Sequence, residues 1–159
     1  MTRIVSGSAR GRRLAVPDGD GTRPTADRAR EALFSTLESL LGSLRERRFL
    51  DLYAGSGAVG LESLSRGAVH ALMVESNPKA ARVIGANVAA LRLRGAQVQV
   101  ARVEQVMRRR PDGPPYDVLF ADPPYAVPDD ELRGVLRAAR ASGWLAPDAV
   151  VAVERPSRG

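Results

Sequence analysis

At 159 residues the chain is long enough for one domain with a substantial core, and its 44% apolar and 26% charged residues include no apolar run of membrane-spanning length. The lack of any cysteine rules out disulfides, cysteine-ligated metals and a thiolate nucleophile, and the single histidine, His70, argues against a conventional metal site. The formal net charge of +6 is almost all arginine, since Lys79 is the one lysine; an arginine-rich surface suits phosphates and stacked bases, with codon bias as the competing explanation. The expectation is a cytoplasmic, monomeric enzyme or binding module with no membrane or metal partner.

Residues 1–30 hold Arg3, Arg10, Arg12, Arg13, Arg23, Arg28 and Arg30 against three aspartates, with glycines between them. This reads as a basic arm over 1–22, ahead of a domain over 23–159. Leu33, Leu37, Leu40, Leu41 and Leu44 fall on one face of a helix beginning at about Pro24 or Thr25, and are expected to be core.

From Phe49 the pattern alternates. Strands are expected at 49–53, 70–75, 97–101, 116–121 and 149–153, with helices at 58–66, 78–93, 103–109 and 129–141. Asn77 before Pro78 supplies a helix cap. Such β-α-β-α repetition implies an α/β fold: a doubly wound, mainly parallel, Rossmann-like sheet in the order 3-2-1-4-5 with helices on both faces. Ligands in such sheets bind beyond the carboxyl ends of the strands.

The first strand runs into DLYAGSGAVG, which sets Gly55, Gly57 and Gly60 in a GxGxxG spacing before a helix, and Glu75 ends the second strand 20 residues after Gly55. This is a nucleoside-cofactor fingerprint, with the acid for a ribose hydroxyl. Asp51, within the first strand, would repel a pyrophosphate but attract an ammonium or sulfonium, which favours S-adenosylmethionine over a nicotinamide cofactor.

The fourth strand ends on Asp122-Pro123-Pro124-Tyr125. Two prolines remove two backbone donors and fix two φ angles, so Asp122 and Tyr125 are held rigidly. Methyl transfer to a conjugated amino nitrogen needs hydrogen-bond acceptors that aim the lone pair, rather than a strong base. Asp122 and the Pro123 carbonyl suit that task, and Tyr125 offers a ring for a base taken out of its stack. Methylation at a ring carbon usually uses a cysteine, which is absent.

Together RIVSGSARGRRLAVP (3–17), TRPTADRAREALF (22–34), FLDLYAGSGAVGLESLSRGA (49–68), VES (74–76) and DPPY (122–125) resemble the class I S-adenosylmethionine-dependent methyltransferases of the bacterial 16S ribosomal RNA guanine-N2 type, the RsmD-like family. The resemblance spans nearly the whole chain. It implies a methyl-accepting guanine in 16S ribosomal RNA, or in the assembling small subunit, at Asp122–Tyr125. It implies a methionine site at Asp51, Tyr53, Ala54, Gly55 and Gly57, ribose binding by Glu75 and adenine near Ser76. The arm arginines Arg3, Arg10, Arg12, Arg13 and Arg23 would hold RNA phosphates.

Two departures accompany it. No acid directly follows the third strand, so adenine recognition would fall to backbone near Arg102 and Val103, or to Glu104. The family's closing C-terminal hairpin is missing after VAVERPSRG, which is expected to leave 149–153 as an exposed apolar edge. Competing readings are DNA adenine or protein glutamine methylation, a nicotinamide-dependent oxidoreductase, and a non-catalytic RNA-binding module.

Overall fold

A computed structural model describes residues 2–17 and 24–155. The elements, in chain order, are α1 (Pro24–Leu41), β1 (Arg48–Leu52), α2 (Ala58–Ser65), β2 (His70–Glu75), α3 (Pro78–Leu91), β3 (Ala96–Val100), α4 (Val103–Met107), β4 (Tyr116–Ala121), α5 (Asp129–Ala141) and β5 (Leu145–Val153). All strand pairs are parallel and the order is β3-β2-β1-β4-β5, as expected. The order reverses between β1 and β4, which opens a crevice beyond their carboxyl ends.

The central strands are apolar on both sides because helices cover both faces. Phe49, Val118 and Phe120 join one core with residues of α1, α2 and α3. Leu50, Leu52, Leu119 and Ala121 join the other with residues of α4 and α5. Phe34 of α1 stacks on Phe49 with ring centroids 5.8 Å apart, and burying each such side chain contributes about 1.5–3 kcal/mol. Asn77 caps α3, its Oδ1 accepting from the backbone N–H of Lys79 at 2.9 Å.

The α1 face departs from its periodicity. Leu37 is buried, but Leu40 is 64% exposed, and Leu44 reaches the core from beyond the end of the helix. Gly42, with φ 81°, turns the chain after α1 and redirects the segment that leads to β1. α3 also stops short, at Leu91, where Arg92 adopts a left-handed conformation. β5 begins earlier than expected and forms one edge, with Val151 and Val153 about two-fifths exposed.

The N-terminal segment packs into the domain. Arg3 and Arg13 form an antiparallel bridge, and Ile4, Ala9 and Leu14 are buried in the core that holds Phe34. At Gly7, φ is 89° and a Cβ would lie 1.9 Å from the Ser65 carbonyl oxygen, so only glycine lets this backbone meet α2. Glu62 of α2 is fully buried and accepts from Val5 N–H at 2.8 Å, Ser6 N–H at 3.0 Å, Arg30 Nε at 3.1 Å and Arg66 Nε at 2.9 Å. A buried carboxylate is tolerable only with its lone pairs filled in this way.

Candidate active site

A cavity of about 720 Å³ opens at the carboxyl ends of β1, β2 and β4. On one side it is bordered by Tyr53, Gly55, Glu75 and Ser76, on the other by Asp122, Pro123, Pro124 and Tyr125, and Arg102 and Val103 also reach it. Eleven of the residues singled out in the sequence, Glu104 included, thus meet in one place, although they are scattered over some seventy positions.

The glycine turn is tied to β2. Glu75 Oε1 accepts from Gly55 N–H at 2.8 Å and Oε2 from Asn77 N–H at 2.9 Å. Each oxygen keeps a second lone pair for a ligand hydroxyl. Gly60 has a packing reason: a Cβ there would lie 2.6 Å from Met73 Cγ and 3.2 Å from Asp51 Oδ2. Asn87 of α3 donates to Ser56 O at 3.1 Å and to Ala15 O at 3.0 Å, so one side chain joins this turn to the N-terminal segment.

Asp51 lies behind the glycine turn and does not line the cavity; nor do Ala54 and Gly57. It is 1% exposed, and its Oδ2 accepts from Gly60 N–H at 3.0 Å. Burial holds its carboxyl well above the usual 3.8; the Gly60 hydrogen bond opposes this, and the charges of Asp122 and Glu75 add to it. A bound cation would offset both the burial and the repulsion.

Tyr53 carries φ 61°, uncommon for a non-glycine residue and a source of backbone strain at the cavity wall. Its hydroxyl is pushed up to about 12, chiefly by burial and then by Glu131 and Glu104, so it stays neutral. Glu104 borders the cavity and pairs with Arg102 at 3.4 Å, so both candidates for the adenine end are at hand.

In the turn after β4, Pro123 is buried while Asp122 is exposed and Tyr125 is 77% exposed at the rim. Arg155 Nη1 donates to Pro124 O at 3.3 Å, its Nη2 donates to Val127 O, and it pairs with Asp129 at 3.3 Å. Arg155 also borders the cavity, as do Pro17, Asn77, Val127, Glu131 and Glu154. None of these six was singled out in the sequence as a site residue. The dipeptide Glu154-Arg155 ending an apolar run was the available signal.

Arg3, Arg10, Arg12 and Arg13 are exposed on the N-terminal segment, and Arg12 Nη2 also donates to Ala90 O at 2.9 Å. Arg23 lies outside the described residues. His70 sits at the opposite end of β2, with Nε2 3.0 Å from the Tyr116 hydroxyl. Among the described residues no cluster of three or more histidines and carboxylates could hold a metal, and no helix is long and apolar enough to cross a membrane.

The sequence matches the family described as Conserved hypothetical protein 95 over residues 2–159. It is 37% identical over 152 residues to "Ribosomal RNA small subunit methyltransferase D" of Escherichia coli K12, covering 96% of this chain and 73% of that protein. The protein of the same name in Haemophilus influenzae is 32% identical, with 96% and 77% covered. Among solved structures, a hypothetical protein of Thermus thermophilus superposes with a TM-score of 0.82 at 39% identity, over 96% of this chain and 85% of that one.

Proposed function

Because the chain belongs to the Conserved hypothetical protein 95 family, whose curated relatives are named for small-subunit ribosomal RNA methylation, we propose that it methylates the N2 amino group of a guanine in small-subunit ribosomal RNA. S-adenosylmethionine is the methyl donor; it supplies a methyl group activated on a sulfonium, which becomes a neutral thioether. The carrying observation is that a single cavity is bordered by Gly55 and Glu75 on one side and by Asp122–Tyr125 on the other.

The residues fit that cofactor. Glu75 retains acceptor capacity for a ribose diol after binding Gly55 and Asn77. Burial first, and then the charges of Asp122 and Glu75, disfavour the Asp51 carboxylate, an arrangement that favours a cationic methionine moiety. Ala54, Gly55 and Gly57 shape the turn around it, Ser76 flanks the adenine, and Arg102, Val103 or Glu104 completes that end.

On the acceptor side, Asp122 and the Pro123 carbonyl take the two amino hydrogens and aim the nitrogen lone pair across the cavity. The N–C bond forms as the S–C bond breaks, and the surplus amino proton leaves toward Asp122 and solvent. Tyr125, exposed at the rim, stacks on the extruded base. Arg3, Arg10, Arg12, Arg13 and Arg23 hold phosphates without reading sequence. The segment over 1–22 is then the RNA-contacting part and 23–159 the catalytic domain, although Pro17 of the former also borders the cavity.

The test supplies labelled S-adenosylmethionine with undermethylated small-subunit RNA or assembled particles and identifies the modified nucleoside. N2-methylguanosine is expected; labelled N6-methyladenosine, or no label in RNA, rejects the assignment.

A further inference from the structure

We propose that Glu154 reads the target base: its carboxylate accepts the N1–H of guanine from the side of the cavity next to Asp122. This rests on the guanine-N2 reading above and adds the residue that makes the choice of base.

The placement comes from strand register. Ala121 of β4 pairs with Val153 of β5, and Glu154 N–H donates to Ala121 O at 2.9 Å, one of the bonds that hold this last pair. Asp122 and Glu154 therefore each follow directly on the last paired residue of two adjacent strands. Both border the cavity and both are exposed. Two acidic residues thus leave the ends of adjacent strands and border one cavity.

The other acids around the cavity have different surroundings. Glu75 holds Gly55 and Asn77. Glu104 pairs with Arg102. The charge of Glu131 acts on the Tyr53 hydroxyl, as does that of Glu104. Arg155 donates to the carbonyls of Pro124 and Val127 and pairs with Asp129.

The chemistry of the bases decides the rest. An ionised carboxylate only accepts hydrogen bonds. Guanine presents an N1–H donor beside its amino group, which a carboxylate oxygen accepts. Adenine presents an acceptor at N1, which would face the carboxylate lone pairs and leave a desolvated charge unpaired. Asp122 acts on the amino group that both bases carry, whereas Glu154 separates them by the N1 proton.

The experiment uses the full chain and a small-subunit RNA fragment carrying either guanosine or 2-aminopurine ribonucleoside at the mapped target. 2-Aminopurine keeps the amino group and lacks N1–H. Wild type should favour guanosine in kcat/KM by roughly tenfold or more. Glu154→Ala should lose activity on guanosine and gain activity on 2-aminopurine, whose N1 lone pair no longer faces a carboxylate, bringing the ratio within about twofold of one. Glu154→Gln, with one acceptor, should fall between. A ratio that survives in Glu154→Ala, equal losses on both substrates, or no preference in wild type overturns the proposal. Absence of transfer by wild type to either base overturns the underlying guanine reading instead.

Discussion

Glu75 Oε1 and the backbone N–H of Gly55 meet at 2.8 Å, so the carboxylate that ends β2 also fixes the turn after β1. Replacing it with alanine leaves the N–H groups of both Gly55 and Asn77 without this acceptor. Glu75→Ala should weaken S-adenosylmethionine binding at least tenfold and cost about 1–3 kcal/mol of stability. Calorimetric titration and thermal unfolding measure the two effects separately.

Asp51 links the site to pH. Its folded-state pKa is raised by burial and by Asp122 and Glu75. The stability that the protonated group confers is present below the ordinary value of 3.8 and is lost as pH rises through the folded value. Asp51→Asn keeps an acceptor for Gly60 N–H and removes the charge. The variant should melt higher than wild type near pH 7, with the gap closing as the pH falls toward 4, while its cofactor affinity drops. A lower melting temperature at pH 7 would contradict this.

In the proposed mechanism Asp122 acts on the acceptor, so Asp122→Ala should reduce methyl transfer at least a hundredfold. Cofactor affinity should stay within about threefold of wild type, because the glycine turn is held by Glu75 rather than by Asp122. Single-turnover transfer combined with direct cofactor titration separates the two.

Arg155 ties the acceptor turn to the end of β5 through the carbonyls of Pro124 and Val127. Arg155→Ala should lower kcat about ten- to hundredfold with little change in cofactor affinity, since small misplacements of a reacting group are costly. Backbone hydrogen exchange should rise over 125–127 and stay unchanged over 48–60. Unaltered exchange at 125–127 would show that the tie is dispensable.

The arginines of the N-terminal segment make an ionic-strength prediction. Replacing Arg10, Arg12 and Arg13 together with alanine should weaken RNA binding and flatten the log–log salt dependence by about 2, given roughly 0.7 per phosphate contact on single strands. An unchanged slope would attribute these arginines to codon bias.

The strand order and the two turns bordering the cavity could be read from the sequence, because β-α-β-α alternation and the residues closing each strand are local patterns. The features that could not be read depend on how distant pieces align. The periodicity that included Leu40 carries no record of where α1 ends, so it missed both the exposure of Leu40 and the separate route of Leu44 into the core. Asp51 was recognisable as an acid near the glycines, but its place behind them is set by the hydrogen bond to Gly60. Glu154 and Arg155 reach the cavity only through the β4–β5 register, which a single sequence does not encode locally. The arm announced itself by charge, and that charge obscured Ile4, Ala9 and Leu14.

That last feature bears on how the protein can be taken apart. The arginines of residues 2–17 ride on a stretch whose apolar side chains are packed beneath them, whose Gly7 touches α2, and whose Val5 and Ser6 are held by Glu62. Deleting the stretch would strip a buried carboxylate of two donors and open the core along α2. If those arginines hold RNA as proposed, RNA binding and integrity of the domain rest on one piece of chain, and only side-chain replacement on its outer surface can separate them.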